Sequence, residues 1–180
     1  MRHTTLLFTL STLALAACTD STNPVSPTNA RAPGLASLTR DASPARPISG
    51  SCDLTVTPLP SAPPILHQTD TGTCDVSHLG RTAFAGVLEL NLATLTQHGE
   101  RTLTAANGDI LRIVSVGTST PAGPGLVHFA ATLTFVGGTG RFANATGEAS
   151  AEGTANLVTS KTQMTFEGSI AYDASDRGRQ

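Results

Sequence analysis

The segment that decides the fold runs from Leu126 to Val158 and reads LVHFAATLTFVGGTGRFANATGEASAEGTANLV. In its first part, apolar residues occupy every second position: Val127, Phe129, Ala131, Leu133 and Phe135. From Thr146 onwards, small residues alternate with polar ones. A period of two is typical of strands with one buried face. The segment therefore predicts two antiparallel strands joined by a glycine-rich connection.

The same alternation recurs along the chain in short segments that turn residues separate. In 82–96, the residues predicted to share one face are Phe84, Leu88, Leu90 and Leu92. The segments predicted as strands are 49–57, 65–76, 82–96, 101–106, 109–117, 126–136, 146–158 and 161–172. An open sheet of this size would leave an apolar face in water and two edges unpaired. We therefore predict an all-β fold, an antiparallel barrel of about eight strands, with a two-sheet sandwich as the alternative.

Turn residues mark three connections between these strands. The segment 97–100 reads QHGE and is predicted to be a turn, and 118–125 reads TSTPAGPG and is predicted to be a loop. Asn107-Gly108 is the strongest hairpin signal, because both residues tolerate the positive φ of a type I′ turn.

Composition argues against several classes of function. The 180 residues carry a formal net charge of −2, with 4% aromatic residues and no tryptophan. Without a basic cluster beyond its first residues, the chain does not suit a phosphate backbone, and it lacks stacking platforms for single-stranded nucleic acid. Gly-x-Ser-x-Gly, phosphate-loop and His-Glu-x-x-His motifs are absent. The sequence therefore predicts no nucleic-acid partner and no cofactor.

Residues 1–17 have the anatomy of an export signal. Arg2 gives a basic start, and the apolar run that follows, residues 6–17, is too short to span a bilayer as a helix. The run ends in Leu15-Ala16-Ala17-Cys18, which resembles the lipobox of bacterial lipoproteins. The alternative is an ordinary secretory leader followed by an incidental cysteine.

The lipobox resemblance implies a membrane anchor. The leader would be cleaved before Cys18, and the Cys18 thiol would be joined to diacylglycerol. The mature N-terminus would then carry about three acyl chains such as palmitate, which exceeds the two signals that stable anchoring needs. Thr19, rather than aspartate, follows, which in enteric-type bacteria favours the outer membrane. The expected location is therefore the bacterial cell envelope, on the periplasmic face or the surface of the outer membrane.

The remaining chain divides into three parts. Residues 18–47 are rich in Ser, Thr, Pro, Asn and Ala without a hydrophobic period, so they are predicted to be a flexible linker that holds the domain off the membrane. Residues 48–173 are the predicted barrel domain. Residues 174–180 are polar and are predicted to be a frayed tail.

The connection within the opening segment, 137–147, carries a family resemblance. It reads GGTGRFANATG and resembles the G-G-T-G-[RK]-F-x-x-A-x-G pattern of the allene oxide cyclase and dirigent barrel superfamily. The resemblance implies an eight-stranded barrel over 48–173 and a structural role for the motif. The residues concerned are Gly137, Gly138, Gly140, Arg141, Phe142 and Gly147.

The motif residues have physical roles in such a barrel. The glycines permit a positive-φ turn, Phe142 is expected to plug the barrel end, and Arg141 to contact loop carbonyls or a carboxylate. In the plant enzymes of this superfamily, the activity belongs to pocket residues on other strands. No catalytic residue therefore carries over to this chain.

Two cysteines remain after Cys18. An even pair in an exported domain most often forms a disulfide, so Cys52 and Cys74 are predicted to be bonded. The alternative is a metal site, but its spacing is not a standard zinc pattern. That site would use Cys52, His67, Cys74 and His78.

Three polar residues are candidates for a catalytic site. Glu89 and Asn91 alternate with the leucine row of their strand, and His128 alternates with Phe129. Exposed polar faces are the norm for antiparallel sheets, so the default expectation is that all three are solvated. If the barrel turned them into the lumen, they would be candidate acid, base and hydrogen-bonding groups.

Two functions follow from these observations. The favoured one is a non-catalytic, lipid-anchored envelope barrel that holds a small apolar ligand or acts as a structural module. The alternative is an isomerase or cyclase of the allene oxide cyclase type, which guides a small apolar substrate to one product. A polar cluster deep in an open cavity favours the enzyme, whereas a lumen filled with Leu, Phe and Met favours a scaffold. The sequence predicts no oligomeric state.

Overall fold

Eight antiparallel strands, each hydrogen-bonded to its neighbours in the chain, make up most of residues 43–173, which are the residues that the computed structural model describes. The strands are β1 (Arg46–Pro58), β2 (Ile65–Val76), β3 (Gly80–Asn91), β4 (Thr96–Thr104), β5 (Ile110–Gly123), β6 (Leu126–Gly138), β7 (Thr146–Asn156) and β8 (Lys161–Ala171). Because β8 pairs with β1, the sheet closes and leaves no edge strand. The predicted barrel is therefore confirmed, and the sandwich alternative is wrong. Within 43–173, no helix has the length and apolar character needed to cross a membrane.

The two ends of the barrel differ. The closed end carries the β2–β3, β4–β5 and β6–β7 connections, and its lumen is filled by large side chains that are almost fully buried. These are Ile48, Leu103, Leu111, Leu133, Phe135, Phe142 and Ile170. Phe142 lies in a 3-10 turn, Gly140–Phe142, with its ring centroid 5.1 Å from that of Tyr172. The open end carries the other four connections and holds the cavity described below.

The glycine-rich motif joins β6 to β7 at the closed end. Gly140 has φ +53, which favours glycine, and a Cβ there would overlap the Asp109 carboxylate. The Asp109 carboxylate accepts a hydrogen bond from the Arg141 backbone N–H (3.4 Å) and lies 3.7 Å from Arg141 Nε. Thr139 pairs with Ile110 through two hydrogen bonds. The motif therefore holds the Phe142 plug against the β4–β5 connection.

The structure corrects the predicted turn at 97–100. These residues belong to β4, and the turn lies earlier, at 92–95. The Asn91 side chain explains the position, because its Oδ1 accepts hydrogen bonds from the backbone N–H groups of Ala93 (2.9 Å) and Thr94 (3.3 Å). Leu95 then reverses the chain with φ +56.

Two other predicted connections also differ from the structure. β5 continues to Gly123, through a bulge between Pro121 and Gly123, so most of the predicted 118–125 loop is strand. At the β4–β5 connection only Gly108 has a positive φ, +87, so the turn is not type I′. Instead, the Gly108 N–H donates a hydrogen bond to the Ala105 carbonyl (2.9 Å), and the Asn107 side-chain amide donates one to the Asp109 carboxylate.

The predicted disulfide is confirmed. Cys52 on β1 and Cys74 on β2 are directly opposite in register, and their Sγ atoms are bonded to each other. Both residues are buried. The alternative metal site of Cys52, His67, Cys74 and His78 is therefore not formed, and no group of three or more potential metal ligands occurs within the described range.

Candidate functional site

The open half of the lumen contains a cavity of about 410 Å³. An eight-stranded barrel is wide enough either to be filled by side chains or to hold one small ligand. At the closed end, the inward residues are large and fill the space. At the open end, several are small, including Ser119, Ala155 and Thr162, so space remains between apolar walls. The main apolar side chains of the walls are Leu54, Val56, Leu66, Leu88, Leu90, Val127, Phe129 and Met164.

An ion pair lies deep in this cavity. Arg101 Nη2 on β4 is 3.5 Å from Asp70 Oδ2 on β2, and both side chains are 6% exposed. Gln68 Nε2 donates to Asp70 Oδ1 at 3.0 Å. Arg101 Nη1 donates to Ser115 Oγ, which in turn donates to the Gly99 carbonyl at 3.3 Å. A buried polar network therefore separates the open half of the lumen from the filled half.

Gly86 makes the ion pair geometrically feasible. It lies on β3 and is the register partner of both Asp70 on β2 and Arg101 on β4. A Cβ at Gly86 would lie 2.5 Å from Arg101 Cγ and 2.8 Å from the Glu100 carbonyl oxygen. The two charged side chains therefore meet across a strand that has no side chain at that point.

Burial dominates the electrostatics of the pair. It raises the pKa of the Asp70 carboxyl above its usual value, although the nearby Arg101 charge and the Gln68 hydrogen bond act against the rise. Burial likewise lowers the pKa of Arg101, against the opposing effect of Asp70. Arginine nonetheless stays protonated in proteins. Burial thus opposes the charged form of both groups, and their contact at 3.5 Å favours it.

Three buried polar atoms of the cavity lining have no hydrogen-bond partner within the described part of the chain. They are Gln97 Nε2, Arg101 Nε and Thr162 Oγ1. All three residues are at most 7% exposed. Most buried polar groups in folded proteins are hydrogen-bonded, to protein or to water, so these three atoms have capacity for a hydrogen bond to a molecule in the cavity.

The predicted catalytic candidates do not reach this cavity. Glu89 and His128 are exposed on the outer wall, and Asn91 is half-buried where it caps the β3–β4 turn. None of the three belongs to the cavity lining. The hypothesis that they line the lumen is therefore wrong, because the strand alternation turns them away from it.

Sequence reasoning missed Asp70, Gln97 and Arg101. Arg101 is in phase with Leu103 along β4, and Asp70 is in phase with Cys74 along β2. An ionisable residue in phase with an apolar face was the available signal. Placing a turn at 97–100 concealed it, because the period could not be followed through Gln97 to Arg101.

Exposed apolar side chains surround the mouth of the cavity. They are Leu59, Leu92, Leu95, Leu157 and Val158, on three of the four open-end connections, and Val158 is 82% exposed. Two of these connections share the sequence N-L-x-T, and in both the Asn side chain caps the turn. The mouth is therefore apolar.

A larger groove of about 1060 Å³ lies on the outer wall, bounded by exposed residues such as Val116, Glu152 and Thr165. None of the three unpartnered buried atoms belongs to its lining. The lumen is the stronger candidate site because it combines enclosure, apolar walls and unsatisfied polar atoms.

The fold has a counterpart among solved structures. No protein-family model matches the chain, and no curated protein matches it at a significant level. The chain is similar to the structure of the pterocarpan synthase dirigent protein GePTS1, with a TM-score of 0.54 and 14% identity, covering 83% of this chain and 96% of that one. At this identity the likeness concerns the fold alone. The described residues therefore form a closed eight-stranded barrel whose fold is similar to that of a dirigent protein.

Proposed function

We propose that this protein is a lipid-anchored module of the cell envelope that binds a small, mostly apolar molecule in the open half of its lumen. The observation that carries the proposal is the cavity of about 410 Å³, with its walls of Leu, Val, Phe and Met side chains. Small-molecule sites are typically concave and mostly apolar, with a few placed polar groups.

The mouth supports the same function. A ligand that enters through the open end first contacts the apolar side chains of the hairpin tips, among them Leu92 and Leu157. The loop segments 59–64, 92–95, 124–125 and 157–160 contain no charged residue. An apolar molecule therefore meets no charged group at these tips that would have to lose water as it enters.

Titration with the apolar dye N-phenylnaphthylamine tests the proposal, because dye fluorescence rises in apolar surroundings. Ala155→Trp places a large ring in the lumen and should abolish saturable dye binding. Ala85→Trp is the matched control, because Ala85 is exposed on the outer wall of β3. Equal binding by the wild type and both variants would contradict a lumen site.

The anchor part of the proposal rests on the lipobox-like residues 15–18, which lie outside the described residues. Intact mass measurement of the membrane-extracted protein tests it. The expected mass is that of a chain that begins at Cys18 and carries added acyl groups, and Cys18→Ser should release the protein from the membrane. An unmodified Cys18 would refute the anchor without affecting the lumen site.

A second candidate function is that of an isomerase or cyclase acting on a small apolar substrate. The buried Asp70–Arg101 pair favours it, since a polar cluster deep in an apolar cavity could orient a reactive intermediate. The test is the enantiomeric excess of a substrate that also cyclises spontaneously. An excess that depends on Asp70 and is lost in Asp70→Asn would support catalysis, and a racemic product would refute it.

A further inference from the structure

We infer that the molecule bound in the lumen presents a neutral hydrogen-bond-accepting oxygen, such as a ketone, aldehyde, ester or epoxide oxygen, to the β4 wall. This inference rests on the proposed function and narrows the chemistry of the ligand. The groups that would bind the oxygen are Gln97 Nε2 and Arg101 Nε. Both residues are inward-facing and lie four positions apart on β4, with the inward-facing Gly99 midway between them.

The unsatisfied atoms on this wall are donors. An amide Nε2 and a guanidinium Nε can only donate hydrogen bonds, and neither atom has a partner in the described structure. The nearby acceptors already have donors. The Asp70 carboxylate accepts a hydrogen bond from Gln68 Nε2 and is ion-paired with Arg101, and Ser115 Oγ accepts a hydrogen bond from Arg101 Nη1. The unused capacity therefore suits an acceptor on the ligand.

Charge balance makes a neutral acceptor the better fit. The Asp70 carboxylate already compensates the Arg101 charge within the same buried network. A ligand carboxylate would add a second negative charge without a second cation, and a buried uncompensated charge is strongly unfavourable. A carbonyl or epoxide oxygen accepts the same hydrogen bonds without that cost.

Thr162 supplies a second point of contact. It lies on β8, four strands from β4 in the ring of eight, and therefore on the opposite wall of the lumen. Its Oγ1 is buried and has no hydrogen-bond partner among residues 43–173, and a hydroxyl can donate or accept. A ligand that spans the cavity would thus have polar contacts on opposite walls, with the acceptor oxygen directed to β4.

Three probes of matched shape test the inference. Acetylnaphthalene carries the ketone oxygen, isopropenylnaphthalene replaces that oxygen with a CH₂ group, and naphthoate carries the anionic carboxylate. Competition against N-phenylnaphthylamine should show the ketone binding about tenfold more tightly than the alkene, which is about 1.4 kcal/mol. Naphthoate should bind more weakly than the ketone.

Gln97→Met removes one of the two donors with little change of shape, and it should reduce the ketone preference while keeping alkene affinity. Gln163→Met is the matched control, because Gln163 is exposed on β8, and it should keep the preference. Equal wild-type affinities for ketone and alkene would overturn the inference and need no variant to be folded. A preference that is undiminished in Gln97→Met would also overturn it. If no probe binds, the proposed function itself fails, so the two failures are distinguishable.

Discussion

Removal of the Arg101 cation should destabilise the protein in a pH-dependent way. Arg101→Met keeps an unbranched chain of similar length but leaves the Asp70 carboxylate in the lumen without its ion-pair partner. Both side chains are 6% exposed, so solvent screens the remaining charge poorly. Breaking a buried pair by removing one partner costs about 3–5 kcal/mol of unfolding free energy. We expect a loss of this size at neutral pH.

The pH dependence follows from the pKa of Asp70. Burial raises that pKa above its ordinary value of 3.8, and Arg101 opposes the rise, so Arg101→Met should raise the pKa further. A group whose folded-state pKa is raised stabilises the fold below its unfolded pKa, and this contribution is lost as the pH rises through the folded-state pKa. The cost of Arg101→Met should therefore be smallest in acid and grow towards neutral pH.

The assay is urea unfolding of wild type, Arg101→Met and the double variant Asp70→Asn/Arg101→Met over a pH series. In the double variant no buried charge remains among the described residues, and an asparagine oxygen can still accept a hydrogen bond from Gln68. Its stability should match or exceed that of the wild type, since replacing a buried pair with uncharged groups is often neutral or stabilising by about 1–4 kcal/mol. A pH-independent cost of Arg101→Met, or a double variant as unstable as the single one, would refute this reasoning.

Three further substitutions probe the barrel. Gly86→Ala should lower the free energy of unfolding by about 1–3 kcal/mol, because the added Cβ would lie 2.5 Å from Arg101 Cγ. An unchanged urea midpoint would contradict the placement of the Asp70–Arg101 pair across Gly86. Phe142→Ala should cost about 3–5 kcal/mol in the same assay, because the ring is fully buried at the closed end; a loss below about 1 kcal/mol would show that Phe142 does not plug the barrel. Cys52→Ala with Cys74→Ala should cost about 3 kcal/mol through the entropy of a loop with a separation of 22 residues; the reduced wild type should then unfold at the same urea concentration as the double variant.

The barrel was predictable from sequence because its strands have one buried face. Period-two alternation in 126–136 and 161–172 gave strand bounds within two residues of the observed ones. Closure also followed, since an open sheet would have left edges exposed. What the alternation does not encode is how well large side chains fill each end, and this depends on which inward residues meet across the lumen.

The site was hidden for a related reason. Asp70 and Arg101 are 31 positions apart in sequence, and only the β2–β3–β4 register brings both to opposite sides of Gly86. That register could not be derived while residues 97–100 were assigned to a turn. The Asn91 cap and the positive φ of Leu95, a non-glycine residue, place the turn at 92–95, five residues before the predicted position. The sequence instead indicated polar residues of an outward face, such as Glu89, as candidates for the site.

Methyl chemical shifts measured during titration with acetylnaphthalene test the lumen site most directly. With labelled Leu and Val methyl groups, saturable shifts are expected for the cavity residues Leu54, Leu88 and Leu90. No shift is expected for Leu111 at the filled end or for Val116 on the outer wall. Shifts centred on Val116, or no saturable shift at any lumen methyl, would contradict a ligand site inside the barrel.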